Sequence, residues 1–289
     1  MHVMDLGFVG KSTPVRKSVA YALQVPRAVI RMIADAQNYA LHPPIIVNSI
    51  PKSGTHLLMQ VARALPGSRY FGSFLAQQPS LTLRYRSQAD IDRGIRKLVP
   101  GEVLGAHLHF TPETAARLRH INAVHLMIVR DPLDVLLSEA HYLRVMAQFH
   151  RMHAEFKNLS AEEAIEQCLT GSRLSPDIFP SFEHRIAPYC GWVDNLDCCV
   201  IRFEDTRNPV TAETAVRRAV ASWGAKAGRS PDEVQVLVAG ALEAIDPHKS
   251  HTFSNRKAPV EAVRSRLELD TQIIRLREML GYRGSASSA

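Results

Sequence analysis

The chain has 289 residues, 46% hydrophobic and 22% charged, with a formal charge of +7 and a pI of about 9.4. That length supports one large core, and no Gly/Ser-rich linker divides it. No apolar run long enough for a membrane-spanning helix occurs within it, and the basic balance suits acidic partners such as nucleotides or sulfated and phosphorylated ligands.

Residues 1–40 are expected to form an N-terminal helical segment. "VRKSVAYALQVPRAVIRMIADAQNYAL" mixes apolar residues with Arg16, Lys17, Arg27 and Arg31, and Pro26 interrupts it. It lacks the unbroken apolar core of a secretory signal. Two readings stand: helices packed on the domain, or a basic amphipathic segment in peripheral contact with a membrane.

Residues 41–283 read as one α/β domain. Short apolar runs at 44–50, 102–106, 123–129 and 197–203 predict strands covered on both faces. Helical patterns lie between and after them, at 54–65, 132–149, 160–170, 181–195, 210–223, 231–243 and 266–280. Pro132 suits a first helical turn, and Ser160 with Glu163 forms a capping box. Strands alternating with helices predict a central parallel sheet of about four or five strands, flanked by helices on both faces. Residues 284–289 read as a flexible tail.

The four cysteines, at 168, 190, 198 and 199, fit no zinc spacing. Free thiols and a reducing, cytoplasmic compartment are expected, with no metal site.

The informative stretch is "NSIPKSGTHLL", residues 48–58, which joins a buried strand to a helix. A helix N-terminus offers unpaired N–H groups and the positive end of the helix dipole, so it holds phosphate. Gly54 allows close approach, Ser53 and Thr55 offer hydroxyls, and Lys52 adds charge. Lysine precedes glycine here, unlike the common nucleotide-binding loop. A second cationic point follows in "HLMIVRDPLDVLLSEAHYL", where Arg130 ends a strand and Ser138 lies two helical turns on. The planar guanidinium matches phosphate oxygens. Asp131 and Asp134 read as cap and orienting groups.

Pro-Lys-Ser-Gly-Thr followed by Arg-Asp-Pro-Leu-Asp-Val-Leu-Leu-Ser resembles the sulfotransferase family, whose donor is 3′-phosphoadenosine 5′-phosphosulfate (PAPS) and whose nucleotide product is adenosine 3′,5′-bisphosphate (PAP). The resemblance implies a P-loop-type fold. It implies that Lys52, Ser53, Gly54, Thr55 and His56 line the 5′-phosphosulfate end. It implies that Arg130 and Ser138 hold the 3′-phosphate, with Arg256 and Lys257 of "SHTFSNRKAPVEAV". Phe203 falls where the family sets an aromatic beside adenine, although a core phenylalanine fits equally. His56 and Leu57 stand where the family often has a hydroxyl residue and a tryptophan; Ala258 replaces a glycine, and the following Gly-x-Trp is missing. In "GEVLGAHLHF" the resemblance marks His107 as the base, favoured over His109.

The implied reaction is in-line sulfuryl transfer to a hydroxyl of a glycan, glycolipid or small alcohol, with His107 taking the proton and Lys52 neutralising the leaving oxygen. It requires no metal. A kinase-like phosphotransferase or a non-catalytic nucleotide binder are the alternatives, and no nucleic-acid motif appears. Segment 66–100, basic through Arg84, Arg86, Arg93, Arg96 and Lys97, is expected at the acceptor pocket together with the helices of 144–190.

Overall fold

The computed structural model describes residues 13–246 and 261–282. Three helices come first: α1 (Thr13–Ala22), α2 (Gln24–Ile33) and α3 (Ala36–Leu41). Then follow β1 (Ile45–Ser49), α4 (Thr55–Arg63), β2 (Phe74–Ala76), α5 (Gln88–Ile95), β3 (Val103–His107), α6 (Pro112–His120), β4 (Val124–Val129) and α7 (Pro132–His141). A π-helical turn over Tyr142–Met146 continues α7. The chain goes on with α8 (His153–Phe156), α9 (Ala161–Thr170), α10 (Phe182–Cys190), β5 (Cys198–Arg202), α11 (Phe203–Arg207), α12 (Ala212–Lys226), α13 (Pro231–Glu243), α14 (Glu261–Leu267) and α15 (Thr271–Met279).

The five strands form one parallel sheet in the order β2-β3-β1-β4-β5. Alternate residues of each strand face opposite layers. Ile45 and Val47 pack with Leu58, Val216 and Trp223 on one side. Ile46 joins Leu136, Ile165 and Phe182 on the other. This is why β1 and β4 are mostly apolar without alternation: all their residues are buried, including polar Asn48, Ser49 and His125. The architecture is the expected α/β P-loop type, with helices on both faces of the sheet.

Four strands lie where the apolar runs place them. β2 has no such signature, because it is three residues long and its first residue, Phe74, is half exposed. The helix expected over 132–149 departs from α geometry after His141, where the π turn begins. Such turns widen a helix and often sit at functional sites. The pattern at 266–280 resolves into two helices, α14 and α15, with Asp270 capping the second. The capping box at Ser160 and Glu163 is present, with both reciprocal bonds made.

Candidate active site

β1 sits in mid-sheet between β3 and β4, so the carboxyl ends of these three strands open onto one crevice, the usual ligand position in open α/β sheets. A cavity of about 1340 Å³ occupies it. Its walls include Lys52, Gly54, Thr55, His56, His107, Arg130, Ser138 and Phe203. Residues from four separated stretches of sequence therefore converge there.

The loop after β1 is shaped by two left-handed residues, Lys52 (φ +72°) and Gly54 (φ +105°). Gly54 is the N-cap of α4, and a Cβ there would stand 2.5 Å from Cδ2 of Phe203. Both the backbone angle and the close approach require glycine. Thr55 and His56 occupy the first turn of α4, where backbone N–H groups have no intrahelical acceptor. Ser53 does not share the wall: its residue is wholly buried beneath the loop, its Oγ lacks a partner, and its N–H bonds Ile50 O at 3.1 Å.

Lys52 Nζ lies 4.0 Å from the ring centroid of Tyr142, the first residue of the π turn. Burial lowers its pKa to about 8; Glu139 opposes that shift and Arg130 adds to it. Arg130 and Lys52 thus stand close enough to feel each other's charge. The Arg130 guanidinium lies 4.7 Å from the Phe203 centroid and 3.5 Å from Asp134, and its buried Nε has no hydrogen-bond partner among the described residues. Phe203 thus packs against both Gly54 and Arg130.

Ser138, half-buried on α7, reaches the same cavity. Asp131 caps α7 by accepting from Leu133 N (2.9 Å), and it holds Arg277 by two bonds of 2.8 and 3.1 Å rather than Arg130. Glu204 accepts from Asp131 N at 2.9 Å and from the Tyr282 hydroxyl at 2.8 Å. The start of α7 is therefore clamped to α11 and α15. Arg256 and Lys257 lie outside the described residues. Two arginines not singled out from the sequence, Arg207 and Arg264, line this end of the cavity, and Arg264 bonds Asp134 at 2.9 Å.

His107 closes β3, half-buried, with the Phe74 ring 4.8 Å away edge-on. Its Nδ1 lies 2.8 Å from the Ser49 carbonyl oxygen and 3.1 Å from Ser49 Oγ. Ser49 Oγ is also 2.6 Å from Thr55 Oγ1, linking the histidine to the phosphate-type loop. A carbonyl only accepts, so Nδ1 carries the proton and Nε2 keeps its lone pair. Burial, assisted by the Lys52 charge and opposed by the Ser49 bond, lowers the His107 pKa to about 4. The ring is neutral at physiological pH. Buried Asn48 fixes the register by accepting from Leu108 N (2.8 Å) and donating to Leu108 O (3.1 Å). Polar Asn48 and Ser49 at the end of an apolar strand were the signal for this arrangement, visible in the sequence but given no role there.

His109 is placed differently. It is buried between Tyr85, whose hydroxyl is 3.3 Å from its Nδ1, and the Tyr189 ring at 4.6 Å. It is not among the residues lining the cavity.

Apolar residues also line the cavity, among them Phe74, Leu81, Leu83, Met146, Phe179 and Ile186, interspersed with polar Gln78, Arg144 and His150. Glu139 and Arg185 form an ion pair there at 2.7 Å, with the Arg185 guanidinium 3.7 Å from the Phe179 centroid. Of Arg84, Arg86, Arg93, Arg96 and Lys97, Arg86 alone lines this cavity, and its Nη1 donates to Ala76 O at 3.0 Å. Arg93 pairs instead with Asp90 on the exposed side of α5.

No family model matches the chain, and no curated protein matches it. Among solved structures, it resembles a mouse sulfotransferase, SULT7A1, complexed with PAP, with a TM-score of 0.50, 14% identity and coverage of 86% of this chain and 95% of that one. It also aligns with retinol dehydratase in complex with androsterone and inactive cofactor PAP, with a TM-score of 0.46, 12% identity and coverage of 91% and 87%. A second retinol dehydratase complex, with retinol and PAP, aligns with a TM-score of 0.43, 13% identity and the same coverage. At its identity the first likeness shows a shared fold.

Proposed function

We propose that the chain transfers a sulfuryl group from PAPS to the hydroxyl of an acceptor with an apolar body. One observation carries the reading: Lys52, on the loop after β1, and Arg130, at the end of β4, line one cavity beside a neutral histidine. A donor with phosphate at both ends would meet a cation at each. Its 5′ end would lie at the first turn of α4 with Lys52 and Thr55. Its 3′-phosphate would meet Arg130, whose Nε has no hydrogen-bond partner among the described residues, together with Ser138. Arg207 and Arg264 add positive charge at that end.

The donor supplies a sulfur already activated by a phosphate leaving group. His107 Nε2 accepts the proton as the acceptor oxygen bonds to sulfur. The sulfur–oxygen bond to the 5′-phosphate breaks, and its electron pair stays on the phosphate oxygen, where the Lys52 ammonium offsets the charge. The contribution of the protein is then position and preorganised charge. The apolar residues Phe74, Leu81, Phe179 and Ile186 of the cavity wall suit an aliphatic or aromatic alcohol. Free thiols at Cys168, Cys190, Cys198 and Cys199 fit residence in a reducing compartment such as the cytoplasm.

The test is transfer from sulfur-labelled PAPS to a panel of apolar alcohols, phenols and glycans, run beside ATP with magnesium. Label on an apolar alcohol supports the reading. Transfer from ATP alone would replace it with phosphoryl transfer, and tight PAP binding without turnover would leave a nucleotide-binding protein.

A further inference from the structure

Helix α2 is amphipathic in the wrong sense for a helix packed on a domain. Its half-buried residues are Gln24, Arg27 and Ile30, two of them polar or charged. Arg27 Nε pairs with Glu102 Oε2 at 2.9 Å, where Glu102 is wholly buried. Gln24 Nε2 donates to Phe71 O (3.5 Å) and Ser73 Oγ (3.4 Å). Its outward residues are apolar: Val25, Val29, Met32 and Ile33 recur at helical spacing, continued by Tyr21 of α1. Tyr21 is 82% exposed, Met32 78% and Ile33 76%. Arg27 and Gln24 thus lock the helix in place with its apolar stripe facing out, against the ordinary preference for burial.

We infer that this stripe docks on an anionic membrane surface. Charge selects that occupant. Residues 13–33 carry Arg16, Lys17, Arg27 and Arg31 and no Asp or Glu, and the whole chain is at +7. A basic segment with a continuous apolar stripe lies in the headgroup region, combining apolar insertion with attraction to anionic lipid. The location is also specific. Ser73, bonded by Gln24, precedes Phe74 of the cavity wall, and Lys17 of α1 itself lines the cavity. Seating α2 on a bilayer would bring Lys17 and Phe74 of the cavity wall near the lipid. On the transfer reaction proposed above, whose failure leaves the docking untouched, an apolar alcohol would enter from the lipid.

The experiment is co-sedimentation of the full chain with phosphatidylcholine vesicles, with and without phosphatidylglycerol, without donor or acceptor present. The expected result is binding that requires phosphatidylglycerol, weakens with added salt, and is at least about tenfold weaker in Met32→Glu/Ile33→Glu. Met32→Leu/Ile33→Leu should retain it, and circular dichroism of both variants controls for folding. Equal partition of wild type and the Glu variant overturns the inference. So does binding that ignores phosphatidylglycerol, or a wild-type dimer, dissociated by the Glu pair, that leaves vesicles alone: the stripe would then cover a second copy.

Discussion

His107 Nδ1 donates to the backbone carbonyl of Ser49, 2.8 Å away across the β1–β3 pair. The contact comes from main chain, so no side-chain substitution at position 49 removes it. It holds the ring in the tautomer that leaves Nε2 as an acceptor, and burial keeps that ring unprotonated.

Replacing His107 by Gln removes the base and keeps a polar side chain of similar reach. The expected loss in kcat is ~10²–10⁴-fold. PAP affinity, measured by calorimetry, should change little. A kcat within a few-fold of wild type would remove His107 from the chemistry.

The pH profile of kcat/KM reports groups of the free protein. It should rise as pH climbs through about 4, where His107 becomes neutral, and fall above about 8, where Lys52 loses its proton. Lys52→Arg should move the alkaline limb upward, since a guanidinium stays charged, even if turnover drops. An alkaline limb indifferent to that substitution belongs to another group.

Arg130 should discriminate between nucleotides. Arg130→Ala is expected to weaken PAP binding by ~1.5–3 kcal/mol, the range for a hydrogen bond to a charged group. Adenosine 5′-monophosphate, which lacks the 3′-phosphate, should bind the variant almost as well as wild type. Equal losses for both ligands would place Arg130 elsewhere on the nucleotide.

Gly54→Ala tests the loop itself. The alanine must hold φ near +105° and bring its Cβ against the Phe203 ring. A cost of ~1–3 kcal/mol is expected for the backbone alone, read as a shift of the urea midpoint. PAP binding should suffer too, because the same residue caps α4 at the proposed phosphate site. An unchanged midpoint would mean that the loop relaxes freely.

Acid should destabilise the fold through its buried histidines. Burial lowers His107, His109 and His150 to about 4 and His125 to about 3. The unfolded chain takes up these protons near pH ~6.5, while the folded chain does so only at lower pH, so stability falls as pH drops below that value. His125 packs edge-on against Trp192 at 4.2 Å, and its Nε2 has no partner. His125→Phe should therefore reduce the loss of stability between neutral pH and about pH 5. An identical loss in the variant would assign the effect to other groups.

Local sequence determined much of this molecule. The apolar runs at β1, β3 and β4 mark segments buried on both faces, whatever they pair with, while the run at β5 marks an edge strand that is only partly covered. The capping box at Ser160 and the Pro132 helix start depend on residues within a turn of each other, so they are readable in isolation. The strand–loop–helix around Lys52 and Gly54 is equally local. Where contacts span distant segments, only the tertiary structure decided. β2 is too short for a periodic signal and exists because β3 pairs with it. His107 and His109 look alike along the chain, yet packing turns one to the cavity and sets the other between two tyrosines. Ser53 carries the right hydroxyl but faces the interior, and Arg207 and Arg264 reach the site without any motif. Periodicity identifies α2 as amphipathic. Which face turns inward depends on the ion pair with Glu102, 75 residues away, and no local pattern contains that partner.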